Sequence, residues 1–457
     1  MNRLTTPHHV LTWTRRPAAF RLAPVARSAA LLLVPGLLWA QAVVPVATLT
    51  PAIRSAVIEN AAAALAEGYV DAGTGRAIGD ALRARLEAGA YDALTNPAQF
   101  AEVVTHDLRA TNGDLHLSLR FSPTPPAAGR PAGDPFADAP RQNFGLGRAE
   151  ILDGNVGYLE ITSFMGASGY QEVVVDALRF LSRADAVIID LRRNGGGSGE
   201  MTHFMFSHFF GATPVPTIRV RSRSAPDGVV RQSLATVPGP RRPEVPLFLL
   251  VSQRTASAAE EFSFVLKNRR RATLIGSRTA GAGHMVAFRP IGHGFTLGVS
   301  ITRVSDPETG LEWEQVGVQP DIAVPAEQAL LEGHAAALRA ILATTTGAAR
   351  ARLLTRLLAT ADARRKPVQV DARRMARFAG TYEGRVIAVV DGHLAYTRVA
   401  GGLSEALVPL GGDRFALGAT QLLFEERAGT IRLTIDQADG TQITLTRSTS
   451  DKPSNRQ

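Results

Sequence analysis

The chain has 457 residues, 45% of them hydrophobic and 20% charged, which excludes a disordered or fibrous protein and gives room for two or three folded units. The net charge of +9 looks basic, but Arg3, Arg15, Arg16, Arg21 and Arg27 fall in the first 42 residues with no acid among them. With those five set aside, 45 basic residues face 41 acidic ones, so nothing argues for a nucleic-acid partner. Cysteine is absent, which excludes structural disulfides and a lipid-anchored N-terminal cysteine.

Residues 1–42 read as an export signal. A basic stretch precedes an apolar run over 29–40, and Ala40-Gln41-Ala42 supplies a small-x-small cleavage pattern. That run is about 12 residues, against the roughly 20 a spanning helix needs. The expected location is periplasmic or secreted, with no membrane anchor once the signal is cleaved. Thr50-Pro51 is a helix start, an N-cap followed by proline at the first helical position. Alanine-rich helical patterns continue to about Thr105 with breaks near Gly68 and Gly89, and residues 115–121 alternate as a strand. Residues 122–142, rich in proline, alanine and glycine, form an irregular loop.

From Glu150 the pattern turns to alternating strands and helices. Strands are expected at 156–161, 186–191, 246–251 and 273–276, with helices at 170–183, near 199–210 and from Ser257 to about Lys267. The uninterrupted apolar run at 186–191 suits a strand covered on both faces. Helices at about 326–343 and 349–363 close this α/β layered unit. A basic linker then leads into an all-β stretch over about 375–447, with hairpin signals at Asp391-Gly392 and Asp439-Gly440. The expected division is a helical N-terminal domain at 43–121, an α/β core at 145–345, a helical linker at 346–366 and a small β domain at 367–449.

The most informative residue is Ser257. It follows the apolar strand 246–251 and opens a helix, so its hydroxyl would lie outside the sheet edge beside the helix N-terminal amides, which stabilise negative charge. Ser257 with Glu260 three residues on also spells a capping box, and the run by itself leaves both readings open. Asn194-Gly195-Gly196-Gly197 follows a central strand at the edge where open α/β sheets bind ligands, and its glycines allow backbone amides to turn toward a ligand. No Lys-Ser/Thr follows these glycines, so a nucleotide-binding loop is unsupported. A serine nucleophile needs a base. Candidates are His116, directly after a turn, and His284 in the glycine loop 280–284. His203 and His208, on an apolar helix face, suit core or surface roles better. Glu314 could orient the base, and Asp321 suits a turn.

Taken together, residues 155–159, 189–197, 255–260, 276–281 and 313–321 resemble, in order and spacing, the tail-specific (C-terminal processing) serine peptidase family. Within it they are most similar to the branch containing tricorn and the interphotoreceptor retinoid-binding protein. The resemblance implies a ClpP/crotonase-like α/β core and a nucleophile at Ser257. The lysine-dependent branch carries its base 25 residues after the serine, which here is Ala282. Lys267 lies ten residues on, about 15 Å along the same helix, so a Ser-Lys pair is excluded. The tricorn-like branch implies His116 as base and Glu314 as its partner, with an oxyanion hole from Ala258 N–H and Gly195 or Gly196. The family's extra serine beside the catalytic histidine is Leu115 here. Only about 30 residues separate His116 from the core, too few for the PDZ domain that many relatives insert. The implied activity is hydrolysis of peptide or protein substrates without metal or organic cofactor. A non-catalytic apolar-ligand-binding module and a small-substrate esterase or amidase are the alternatives on the same fold.

Overall fold

The computed structural model describes residues 48–122, 136–399 and 401–448, so the export signal read at 1–42 lies outside the described residues. Three helices come first: α1 (Pro51–Gly68), α2 (Ala72–Glu87) and α3 (Pro97–Ala110). Each is capped by its sequence. Thr50 Oγ1 accepts from the Ile53 N–H, Asp71 from Thr74, and Asn96 from Ala98 and Gln99. The strand β1 (Ser118–Phe121) begins three residues later than the alternation suggests. The Asp114 carboxylate accepts the His116 N–H at 2.9 Å, and the turn this closes keeps Leu115 and His116 out of the strand.

The central part runs β2 (Leu146–Leu152), β3 (Val156–Ile161), α4 (Tyr170–Phe180), β4 (Ala186–Asp190), α5 (Gly199–Ser207), β5 (Pro216–Ser222), β6 (Ala225–Gln232) and β7 (Leu247–Val251). It continues through α6 (Ala258–Asn268), β8 (Thr273–Gly276), β9 (Met285–Gly292), β10 (Phe295–Ser305), β11 (Ile322–Ala323), α7 (Ala329–Thr344) and α8 (Ala348–Arg365). A six-stranded sheet, ordered β11-β8-β7-β4-β3-β2, is parallel except for the edge strand β2. Successive side chains leave a strand on opposite faces, and both faces are covered. Val187, Ile189, Leu249 and Val251 pack with Val174, Met201 and Phe262 of α4, α5 and α6. Ala186, Ile188, Phe248 and Leu250 pack with Leu338, Ile341, Leu354 and Leu357 of α7 and α8. This explains why β4 and β7 are apolar without alternation.

Of a second sheet, ordered β1-β10-β5-β6 with β9 also on β10, only β1 is read from the sequence. The sheet's inner residues, among them Leu119, Phe295, Leu297 and Val299, share one core with Val57, Leu65, Ile78, Phe100 and Val104 of α1, α2 and α3. The antiparallel register Ser118↔Gly298 to Phe121↔Phe295 holds the end of the N-terminal segment against β10, with His116 just ahead of it. A Cβ on Gly298 would lie 3.0 Å from His116 O, so glycine there admits the histidine backbone.

Residues beyond α8 begin with a short helix, α9 (Ala372–Phe378), which the all-β reading omitted. Nine strands follow: β12 (Gly380–Tyr382), β13 (Arg385–Val390), β14 (His393–Thr397), β15 (Ser404–Ala406), β16 (Val408–Gly411), β17 (Arg414–Leu417), β18 (Thr420–Arg427), β19 (Thr430–Asp436) and β20 (Gln442–Thr446). They form antiparallel sheets of four and five strands. Asp391 and Gly392 both have positive φ, as the tight β13–β14 hairpin requires. Phe378 stacks on Phe424 at 4.5 Å between ring centres, inside a core with Tyr382, Phe415 and Leu433.

The end of β8 tests the sheet geometry. Gly276 has φ +135, and a Cβ there would lie 2.0 Å from Val251 O on β7. Gly276→Ala is expected to lower the free energy of urea unfolding by on the order of 3 kcal/mol. Gly211→Ala, where a Cβ meets nothing within 4 Å, should change it by less than about 0.5 kcal/mol.

Candidate active site

Ser257 sits at the junction of β7 and α6 with φ 53 and ψ −119, a conformation a residue with a side chain adopts only when its surroundings hold it there. The surroundings do so. Ala256 N–H donates to Asn194 O at 3.1 Å, and Thr255 Oγ1 donates to Leu191 O at 2.8 Å, pinning the turn to the loop after β4. The Glu260 carboxylate accepts from the Ser257 N–H at 2.9 Å, which is the capping half of the motif read in the sequence. The same carboxylate, fully buried, also accepts from Thr279 Oγ1 and from the Gly281 and Ala282 amides. Glu260 therefore ties the serine turn to the glycine loop. Burial pushes its carboxyl upward, and these donors partly oppose that.

Ser257 Oγ lies 3.1 Å from His116 Nε2, across 141 residues of sequence. The other ring nitrogen of His116, Nδ1, is buried and faces Asp114 Oδ1 at 4.0 Å without a hydrogen bond. Burial lowers the His116 pKa, Asp114 opposes that, and the net shift is downward. Asp114 has no exposed surface. Its carboxylate accepts from Tyr69 Oη at 2.9 Å, from the His116 N–H at 2.9 Å, and pairs with His284 Nδ1 at 2.9 Å. Burial alone would raise its pKa; the His284 hydrogen bond and charge, with the His116 amide, hold it down to about 2. His284 moves the opposite way. Burial lowers it, Asp114 and Glu314 outweigh burial, and the net shift is upward.

Glu314 joins this cluster at the same ring nitrogen of His284. Its Oε2 accepts from the Gly283 amide and, at 3.0 Å, from the His284 amide, and lies 3.8 Å from His284 Nδ1. Its Oε1 is buried without a hydrogen-bond partner among the described residues. A Cβ on Gly283 would lie 2.8 Å from Glu314 N, so this approach requires glycine. The structure thus brings Ser257 and His116 together and sets Glu314 against His284, while the carboxylate facing His116 is Asp114. Ligand atoms of Asp114, His284 and Glu314 lie within 4.8 Å of one another, a spacing able to hold a metal ion. Here Asp114 pairs with His284 directly and the Glu314 oxygen accepts backbone N–H groups, so those atoms are already engaged.

Of the three amides expected to form an anion site, Ala258 begins α6 beside Ser257. Gly196 needs correction: its N–H donates to Asn194 Oδ1 at 2.8 Å and is not free in this conformation. Its α-carbon instead packs on the serine turn, where a Cβ would lie 2.9 Å from Ser257 Cβ and 3.2 Å from Ala258 N. Gly195 borders open space. Lys267 Nζ bonds Gln319 O and Asp321 Oδ1, at 2.6 and 2.9 Å. His203 and His208 bond backbone carbonyls of Gln232 and Pro240. A pocket of about 290 Å³ opens beside Ser257, bounded by Gly197, Glu261, His284, Met285, Val304 and Trp313 among others.

Residues 155–324 match the family model described as Peptidase family S41. The chain carries a peptidase family S41 domain. Over 183 residues it is 31% identical to a carboxyl-terminal-processing protease of Synechocystis sp., covering 39% of each chain. Over 187 residues it is 27% identical to a carboxy-terminal-processing protease of Bartonella bacilliformis, covering 40% of this chain and 41% of that one. The chain thus spans about two fifths of the length of these curated relatives. Similar solved structures include a photosystem II D1 C-terminal processing protease, 18% identical with a TM-score of 0.38 over 60% of this chain and 94% of that one. The tricorn protease is 13% identical with a TM-score of 0.39 over 63% of this chain and 37% of its own. Among the described residues, no helix is long and apolar enough to cross a membrane.

Asp114 carries a pH signature in folding. A carboxyl whose pKa falls from 3.8 to about 2 on folding adds stability above its unfolded value and loses it as pH drops toward 2. The difference in unfolding free energy between pH 5 and pH 2.5 is expected to be larger for the wild type than for Asp114→Asn by on the order of 1–2 kcal/mol. Urea unfolding of both proteins at the two pH values measures it.

Proposed function

We propose that this chain is an exported serine peptidase that hydrolyses peptide bonds through an acyl-enzyme on Ser257. The observation that carries the proposal is the 3.1 Å contact between Ser257 Oγ and His116 Nε2, made at a strained strand-to-helix turn. To accept the serine proton, Nε2 must be unprotonated, so Nδ1 carries the hydrogen, and Nδ1 is the nitrogen that faces Asp114. Attack of Oγ on the substrate carbonyl passes the proton to His116. The imidazolium so formed is stabilised by the Asp114 carboxylate, which a small rotation of the ring brings into hydrogen-bond range. Catalytic contacts are commonly long before substrate binds. The imidazolium then protonates the leaving amine, and a water deprotonated by His116 hydrolyses the ester.

The oxyanion faces Ala258 N–H at the start of α6, with a second amide from Gly195, since that of Gly196 is engaged by Asn194. Glu314 acts at one remove: it seats the Gly283-His284 backbone, and His284 in turn holds Asp114 in its charged form. The domain similarity to carboxyl-terminal-processing proteases supports a peptide or protein substrate. Export rests on the signal pattern of residues 1–42. The non-catalytic apolar-ligand reading fits less well, because the pocket beside Ser257 holds the charged residues Glu200, Arg231 and Glu261.

Hydrolysis of casein and of internally quenched peptides tests the proposal. Ser257→Ala and His116→Ala should each lower kcat/KM by about 10²–10⁴-fold or more; unchanged hydrolysis in Ser257→Ala would contradict it. Because burial lowers the His116 pKa, the acid limb of kcat/KM should lie below pH 6.5. Removing the opposing charge in Asp114→Asn should move that limb lower still.

A further inference from the structure

The floor of the pocket beside Ser257 carries an acid that the chemistry above does not use. Glu261 lies four residues after Ser257 on α6, so it falls on the same helix face about 6 Å further along the axis. Both residues line the pocket. Glu261 is 5% exposed, and among the described residues none forms a hydrogen bond or ion pair with its carboxylate. Its Oε2 comes alongside Gly199 at the start of α5, 4.0 Å from where a Cβ on that glycine would be. A carboxyl group in so dry a place without a partner is costly to keep. It makes sense where a partner arrives with the ligand.

The rest of the pocket says which partner. Met285, Val304 and Trp313 give it apolar walls, and the other charged groups lining it are Glu200, Arg231 and His284. His284 is committed to Asp114. Glu200 and Arg231 are exposed on α5 and β6, and the charge of Arg231 acts on Glu261 without a hydrogen bond or ion pair to it. What remains without a hydrogen bond or ion pair among the described residues is the buried acid. Apolar walls ending in a carboxylate match a side chain with an aliphatic stem and a cationic tip. The pocket of about 290 Å³ has room for such a side chain.

We propose that Glu261 makes this site selective for lysine or arginine on the acyl side of the bond cleaved at Ser257. The inference rests on the reading of Ser257 as nucleophile. Ser257, Ala258 and Gly197 border the same pocket, so a carbonyl held on Ser257 with its oxygen toward Ala258 N–H directs its neighbouring side chain inward. Burial pushes the free carboxyl up to about 7, with Arg231 opposing, so without a cation Glu261 is substantially neutral near pH 7. An incoming ammonium or guanidinium favours the ionised form, and the resulting pair is charge-assisted and shielded from water.

The test is a set of quenched peptides that differ only in the residue on the acyl side, Lys, Arg, Leu or Asp, and a second set varied only on the leaving side. Wild type should show kcat/KM for Lys or Arg at least about tenfold above that for Leu, as a buried charge-assisted pair supports. In Glu261→Gln the Lys-to-Leu ratio should fall toward one, and in Glu261→Leu it should invert. Labelling by diisopropyl fluorophosphate, whose small groups do not reach the floor, is run beside them. Wild type that labels at Ser257 yet prefers Leu, or selects only on the leaving side, overturns this assignment and leaves the serine-peptidase reading standing. So does a ratio unchanged in the Gln variant. Wild type that neither labels nor cleaves any peptide overturns the peptidase reading itself.

Discussion

A carboxylate with no exposed surface stays charged only if donors replace its water, and Asp114 has three such partners drawn from distant parts of the chain. Tyr69 comes from the end of α1, the His116 amide from the turn before β1, and His284 from the glycine loop after β8. The first and last are 45 and 170 residues away in sequence. The buried anion fixes the position of the His116 backbone and presents a negative charge to the ring nitrogen that must carry the proton. The same anion raises the His284 pKa, and Glu314, near the same ring nitrogen, adds to this. Imidazoles and carboxylates cluster at the site: His116 faces Asp114, and His284 meets both Asp114 and Glu314.

The second constraint is the serine turn. Ser257 occupies a backbone conformation that costs on the order of 1–3 kcal/mol, and contacts to the loop after β4 and to Glu260 hold it. Glu260 serves two ends at once, since its carboxylate also gathers the amides of Gly281 and Ala282. The loop so gathered continues into His284. Two otherwise separate pieces, the Ser257 turn and the support of the buried anion, are thus built on one side chain. The pocket opens between them, which is why its floor residue, Glu261, is the next acid along the same helix.

Much of this was legible along the chain. The doubly covered strands β4 and β7 read directly from their unbroken apolar runs, and Ser257 was legible because it is flanked by such a strand and a helix start. Thr50-Pro51 marked α1 for the same local reason. Strands β5, β6 and β9 escaped notice because their cover is partial, and β10, mostly buried, because Gly298, Ser300 and Thr302 interrupt its apolar run. Most of β6, for instance, faces solvent and shows no alternation. Asp114 escaped because its spacing to His116 is that of an ordinary turn, and its deciding partners, Tyr69 and His284, are remote in sequence. Its one visible sign was an acid two residues before a candidate base. Nothing in the sequence singles out Glu261, one of two acids in the first turn of α6; it is the fold that buries it.

The claim on which the account turns is that His116, held by the buried anion, activates Ser257. Intact-mass and peptide-level mass spectrometry after reaction with a fluorophosphonate probe examines that claim without assuming any substrate. The account predicts a single adduct on Ser257 in the wild type, abolished in Ser257→Ala and slowed by orders of magnitude in a folded His116→Ala. A folded wild type without an adduct, or one whose labelling rate is untouched by the loss of His116, would contradict it.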